Sequence, residues 1–160
     1  MKNVHLIPTD KPSRLFYNVG GALLFTNYEN YNGVYIYITS DEEIKEGDWI
    51  FNEEREPSVI QCIGKGSLRG WNKITLTTDQ DLIADGIQAI NDEFLEWFVK
   101  NTSCEEVEVV DDLKYFNVDE LRERHIKVLP HLYSEKIGYK IIIPKEEPKQ
   151  ETHICKWCKA

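Results

Sequence analysis

No apolar run in this chain is long. The longest, ALLF and IIIP, are far too short to span a bilayer, which argues against a membrane-crossing helix. The opening MKNVHLIPTDKPSR has no apolar stretch ahead of a small-residue cleavage site, so no secretory leader is expected and the cytoplasm is the expected location. Cysteine is sparse and badly placed for a disulfide framework. Cys62 and Cys104 stand alone in strand-like runs, where a reducing cytosol makes them buried thiols, and only Cys155 and Cys158 are close together. Basic residues are also short, 19 against 28 acids for a net charge of −9, which disfavours direct nucleic-acid binding. That balance leaves solubility, attraction to basic partners, or imitation of a polyanion.

Catalytic signals are thin as well. His5, His125, His131 and His153 are scattered, and none neighbours a Ser or Cys nucleophile in a recognised spacing. The expectation is a protein that is not an enzyme and has no catalytic residues. A carboxylate-dependent hydrolase stands as a third alternative, because acids abound.

At 160 residues with 41% hydrophobic composition, the chain is long enough for one domain with a substantial core. NVHLIP, VYIYITS, DWIFN, SVIQC, KITLTT, EEVEVV and YKIIIP read as strands. The Gly20-Gly21 pair in LFYNVGGALLF reads as a bend or hairpin. TNYENYNG reads as an aromatic turn. From TTDQD onward, Ile83, Ile87, Ile90, Phe94 and Trp97 or Phe98 recur at helical period, while Gly86 weakens the first turns by about 1 kcal/mol. The expected class is α+β: a small antiparallel, twisted or partly closed sheet, one main amphipathic helix at about 80–100, and a short helix at about 117–125. Residues 1–144 would form the domain and 145–160 a polar tail, expected to be mobile.

The stretch DLIADGIQAIND has the letter spacing of a calcium loop but fails on its ligands. Position three is Ile83, and position twelve is Asp92 instead of Glu. On a continuous helix, Asp81, Asp85, Asp92 and Glu96 would line one face, and no Lys or Arg lies between Asp79 and Glu96. DEEIKEGDWIFNEERE and CEEVEVVDD share the acidic bias, with Glu105, Glu106 and Glu108 as a second patch. These acids form either a solvating surface or an imitation of a phosphate backbone. GKGSLRGWNK is the one basic, glycine-rich loop. It lacks the P-loop order, yet Lys65, Arg69, Trp71 and Lys73 suit a phosphate or an acidic partner. Tyr28 and Tyr31 suit an aromatic contact. In HICKWC, two thiolates at x2 spacing and a nearby imidazole, His153, Cys155 and Cys158, form a partial zinc site.

Four blocks, HLIPTDKPSRL, IYITSDEEIKEGDWI, KITLTTDQDLIADGIQAINDEFLEWFVKN and YKIIIPKEEPKQET, make up about half the chain. They resemble a group of small mosaic proteins of Bacteroidetes phages and prophages. The resemblance implies a mobile-element origin and residence in the host cytosol, and it carries over no site. Small acidic phage proteins of this character resemble inhibitors of host defence, including anti-CRISPR proteins. The resulting expectation is a non-enzymatic protein, with no cofactor, that docks an acidic surface onto a basic, nucleic-acid-handling host protein such as a defence nuclease. The alternative from another class is a zinc-assisted nucleic-acid or peptide reader using the basic loop and the HxCxxC tail.

Overall fold

The computed structural model describes residues 2–54, 56–64, 66–115, 118–123 and 134–144. Its main sheet is built from β1 (Val4–Pro8), β4 (Val34–Ser40), β7 (Asn72–Thr77), β5 (Trp49–Asn52) and β6 (Ser58–Gln61), side by side in that order and antiparallel throughout. The sheet curls into a half-barrel. The residues of VYIYITS explain β4's central place, because both of its faces are apolar. Val34, Ile36 and Ile38 enter one core with Val4, Leu76 and Phe94, whereas Tyr35 and Tyr37 enter a second with Phe51, Ile74 and Leu82. β-branched residues and aromatics alternate in the sequence, so the two cores differ in chemistry.

The α+β expectation is overturned: among the described residues strands dominate, and there is no single main helix. The stretch expected to be one helix at about 80–100 is α1 (Gln80–Ala84), a short strand β8 (Gln88–Ala89) parallel to β7, and α2 (Asp92–Phe98). Gly86 terminates α1 by taking φ +105°, a conformation that side chains rarely adopt. The N–H of Ile87 then bonds the carbonyl of Leu82 at 3.0 Å and that of Gly86 bonds Ile83 at 3.1 Å, the paired closure of a helix C-terminus. Asn91 restarts the chain as a helix, its Oδ1 accepting from the Phe94 N–H at 2.8 Å. The apolar spacing held only in part across the break: Ile83, the first residue of the expected series, enters neither core, and α1 buries Leu82 in its place. Ile90, Phe94, Leu95 and Phe98 enter the first core, and Leu82 and Ile87 enter the second.

Two hairpins complete the fold. β2 (Ser13–Tyr17) pairs with β3 (Leu23–Asn30) around the Gly20-Gly21 turn. β3 continues through the residues read as a turn, leaving only 31–33 to reverse the chain. β9 (Glu108–Tyr115) pairs with β10 (Ser134–Ile142), and α3 (Val118–Glu123) lies where the short helix was expected.

The β9–β10 ribbon is joined to the main sheet by side chains that imitate a strand. The Asn3 amide donates to the Val107 carbonyl at 2.8 Å and accepts from its N–H at 2.9 Å. On the other edge, the Gln88 amide donates to the Tyr139 carbonyl at 2.8 Å and accepts from its N–H at 2.7 Å. Each amide satisfies one backbone donor and one backbone acceptor, as a neighbouring strand would. Gly138 permits the second junction, since a Cβ there would stand 2.5 Å from Gln88 Oε1. Ile141 and Val107 thereby bury against Val4 and Ile36.

Candidate functional site

The helix acids do not stand unanswered. Asp81 is ion-paired with Lys11, Asp92 takes Arg14 Nη1 and Nη2 at 3.1 and 3.2 Å, and Asp85 accepts from Trp49 Nε1 at 2.6 Å. Arg14 is itself held by the Thr26 carbonyl and lies over the Phe25 ring. Asp79, just before α1, is buried, caps the helix through Oδ1, and accepts from the Tyr37 hydroxyl at 2.6 Å. Burial, then that hydrogen bond and the nearby carboxylate charge, push the Tyr37 hydroxyl well above its ordinary pKa. Glu96 is exposed on α2. These acids therefore sit on two helices joined by a strand, and three of the four meet partners from β2, β5 or the loop before β2.

The second patch lies differently. Glu106 and Glu108 line a cleft of about 330 Å³ together with Asp41, Thr39 and Lys2. Lys2 Nζ lies 3.1 Å from Glu53 and 3.9 Å from Glu105, so the acidic segments 41–56 and 105–108 meet around one ammonium. The backbone makes this meeting possible, because the Glu105 carbonyl accepts from the N–H groups of Asn3 and Val4 at 3.0 and 3.1 Å.

Thr39 of that cleft meets His5, which sequence reasoning did not single out. Its side chain is 5% exposed and its ring stacks on Phe51 with centroids 4.1 Å apart. Nε2 is 3.1 Å from Thr39 Oγ1. Nδ1 is buried with no hydrogen-bond partner among the described residues, 3.5 Å from Glu53 Oε2. Burial lowers the imidazole pKa below 6.5, the Glu53 charge opposes that shift and Lys2 adds to it, so the ring is neutral at pH 7. Its only sequence signal was a histidine within a short apolar strand, which marks burial and not a role.

The other sequence candidates do not converge. Arg69 is exposed, Trp71 lines a separate cleft with Glu54 and Glu56, and Lys73 turns to Glu42 and Asp48 at 3.6 and 3.7 Å. Tyr28 and Tyr31 are 63% and 73% exposed, on β3 and the turn after it. Lys65, His125, His131, His153, Cys155, Cys158 and the 145–160 tail lie outside the described residues. Among the described residues, no group of three His, Cys, Asp or Glu side chains is placed to hold a metal. Cys62 is a buried free thiol, and the half-buried Cys104 lies 3.1 Å from the Glu106 carbonyl through its sulfur.

Comparisons with family models, with characterised proteins and with solved structures each return no match. No helix among the described residues is long and apolar enough to cross a membrane.

Proposed function

We propose that this protein is a non-enzymatic binding protein whose carboxylate face around the Lys2 cleft docks onto a basic, nucleic-acid-handling partner. The resemblance to phage proteins makes a host defence nuclease the partner class, with inhibition by occupation of its nucleic-acid groove. One observation carries the reading: Asp41, Glu106 and Glu108 line one cleft where Lys2 is the sole base among the described lining residues, and Lys2 itself reaches Glu53 and Glu105. A net charge of −9 extends the same field over the surface and steers a cationic partner toward it.

The test is displacement of a labelled DNA duplex from a purified host nuclease, read by fluorescence anisotropy. Displacement should weaken steeply between about 0.05 and 0.5 M salt, as screened charges require. It should also fall in the combined variant Glu105→Gln, Glu106→Gln, Glu108→Gln. Displacement indifferent to both salt and that variant would remove the charge-based mechanism.

A further inference from the structure

A cavity between the β2–β3 hairpin and the two short helices shares no lining residue with the Lys2 cleft. It holds about 180 Å³, below the roughly 300–1,000 Å³ of pockets for drug-sized ligands but enough for one short chain. Its buried lining includes three aliphatic side chains, Leu15 of β2, Ile90, and Leu95 of α2. Ile83 of α1, which joins neither core, is half-buried against the same space. A bulge brings charge to this apolar wall. Ser13 lies opposite Asn30 and Leu15 opposite Phe25, so residues 26–29 of β3 loop out against Arg14 alone. Arg14 Nε donates to the Thr26 carbonyl at 3.0 Å and pins that loop, and Glu29 stands exposed on the cavity wall. The fixed donors of the wall point elsewhere. The Ser13 and Thr77 hydroxyls donate to the Val34 and Ile36 carbonyls, the Gln80 amide to the Thr78 carbonyl, and both Arg14 Nη groups to Asp92. Thr78 Oγ1 accepts from the Ile36 N–H, and its hydroxyl rotates to suit either kind of ligand. Arg14 serves Asp92 and Lys11 serves Asp81, and Glu29 has no ion-pair partner among the described residues.

We propose that this cavity is a binding site for one alkylammonium chain, its methylenes against Leu15, Ile83 and Leu95 and its ammonium against the Glu29 carboxylate. The charge of the lining selects that class. Two carboxylates and one guanidinium line the space, and the guanidinium is engaged by Asp92, so one negative charge is left for the occupant. An anion would have to displace Asp92 from a bidentate pair, which is the strong form of such a contact. A neutral chain would gain the aliphatic wall but nothing from Glu29. The aliphatic stem and charged tip of an alkylammonium match a site whose inner wall is apolar and whose exposed rim is ionic. A free short amine and a lysine side chain of another polypeptide both carry this chemistry.

The experiment titrates the full chain with ethyl-, propyl- and butylammonium at fixed pH and salt and follows its backbone amide chemical shifts. Saturable shifts should centre on Ile83, Ala89, Ile90 and Leu95. Affinity should rise about fourfold per added methylene, as the burial of a CH₂ requires. Glu29→Gln should weaken butylammonium about tenfold, the usual loss when a hydrogen bond between charged groups goes. Ile83→Phe, which fills the space, should abolish binding while urea unfolding shows the fold retained. Butyrate and butanol should bind about tenfold more weakly than butylammonium. Equal binding of all three, wild-type affinity in Glu29→Gln, or no saturable shift at all would overturn the site. Affinity that ignores chain length would overturn it too, by marking a surface ion pair alone. Nα-acetyl-lysine methylamide separates the two sources: tighter binding than butylammonium supports a polypeptide side chain, and weaker binding supports a free amine. None of these outcomes touches the DNA-displacement test, so the two readings fall separately.

Discussion

Around α1 and α2, Asp81, Asp85 and Asp92 are each answered from within the chain, whereas beside the cleft lined by Asp41, Glu106 and Glu108 a single lysine, Lys2, reaches both Glu53 and Glu105. Asp81 and Asp92 reach their bases across 70 and 78 residues of sequence, and Asp85 reaches Trp49 across 36. The same residue type with the same sequence bias therefore serves two ends. On one side, acids fasten α1 and α2 to the β2 segment and to β5. On the other, Asp41, Glu106 and Glu108 line one cleft with Lys2.

This contrast can be broken first at the α2 side. Phe94 is fully buried, with its ring near those of Trp97 and Phe98 at 5.8 and 5.7 Å. Phe94→Ala should cost about 3–5 kcal/mol in urea denaturation. A loss below about 1 kcal/mol would mean that α2 is not anchored as a structural element should be. Next comes the amide junction on the far edge of the ribbon. Gln88→Ala strands the Tyr139 N–H and carbonyl together and should cost about 1–3 kcal/mol, with faster amide exchange at Tyr139. Gly138→Ala should act in the same direction by pushing the Gln88 amide away.

A smaller effect sharpens the cleft side. The folded pKa of His5 lies below its unfolded value of 6.5, so the unfolded chain takes up the proton first as pH falls. Stability should be unaffected by this group above pH 6.5, decline as pH drops from there through the folded value, and level off below it. Thermal melts of wild type and His5→Gln across that window check the sign, since the variant should lack this part of the slope. The smallest expected effect tests the contrast directly. Asp92→Asn breaks a surface ion pair and should cost at most about 1 kcal/mol. Converting Glu105, Glu106 and Glu108 to Gln should leave urea stability unchanged or slightly raised, by relief of like-charge repulsion. A large stability loss in the latter would assign those acids a structural duty and dissolve the distinction.

Much of the strand content was legible because β4, β7 and β10 carry residues whose only good burial is in a sheet. The Gly20-Gly21 hairpin was legible because two adjacent glycines in an apolar run have few other uses. The single long helix failed for a local reason that the sequence did contain. Gly86 and Asn91 are a stop and a start five residues apart, and the continuing apolar period concealed them. Periodicity marks residues that face inward, and Ile87, Ile90, Phe94 and Phe98 do so without a continuous helix, while Ile83 gives way to Leu82. The acids of the second patch were legible as a charge bias, but their convergence with Asp41 and Glu53 was not. His5 was invisible as a functional group because its Thr39 and Glu53 neighbours come from other strands.

By itself the sequence determined the acidic balance, the strand-forming segments, the division of β4 into an aliphatic and an aromatic face, and the breaks at Gly86 and Asn91. These follow from composition, side-chain period and backbone sterics, all of which act over a few residues. Only the tertiary structure decided which bases Asp81 and Asp92 find, where the ribbon is fastened by Asn3 and Gln88, and that Thr39 and Glu53 come to His5. Those depend on distances between residues far apart in the chain, and Coulomb attraction and hydrogen bonding depend on distance in space, not on spacing along the sequence.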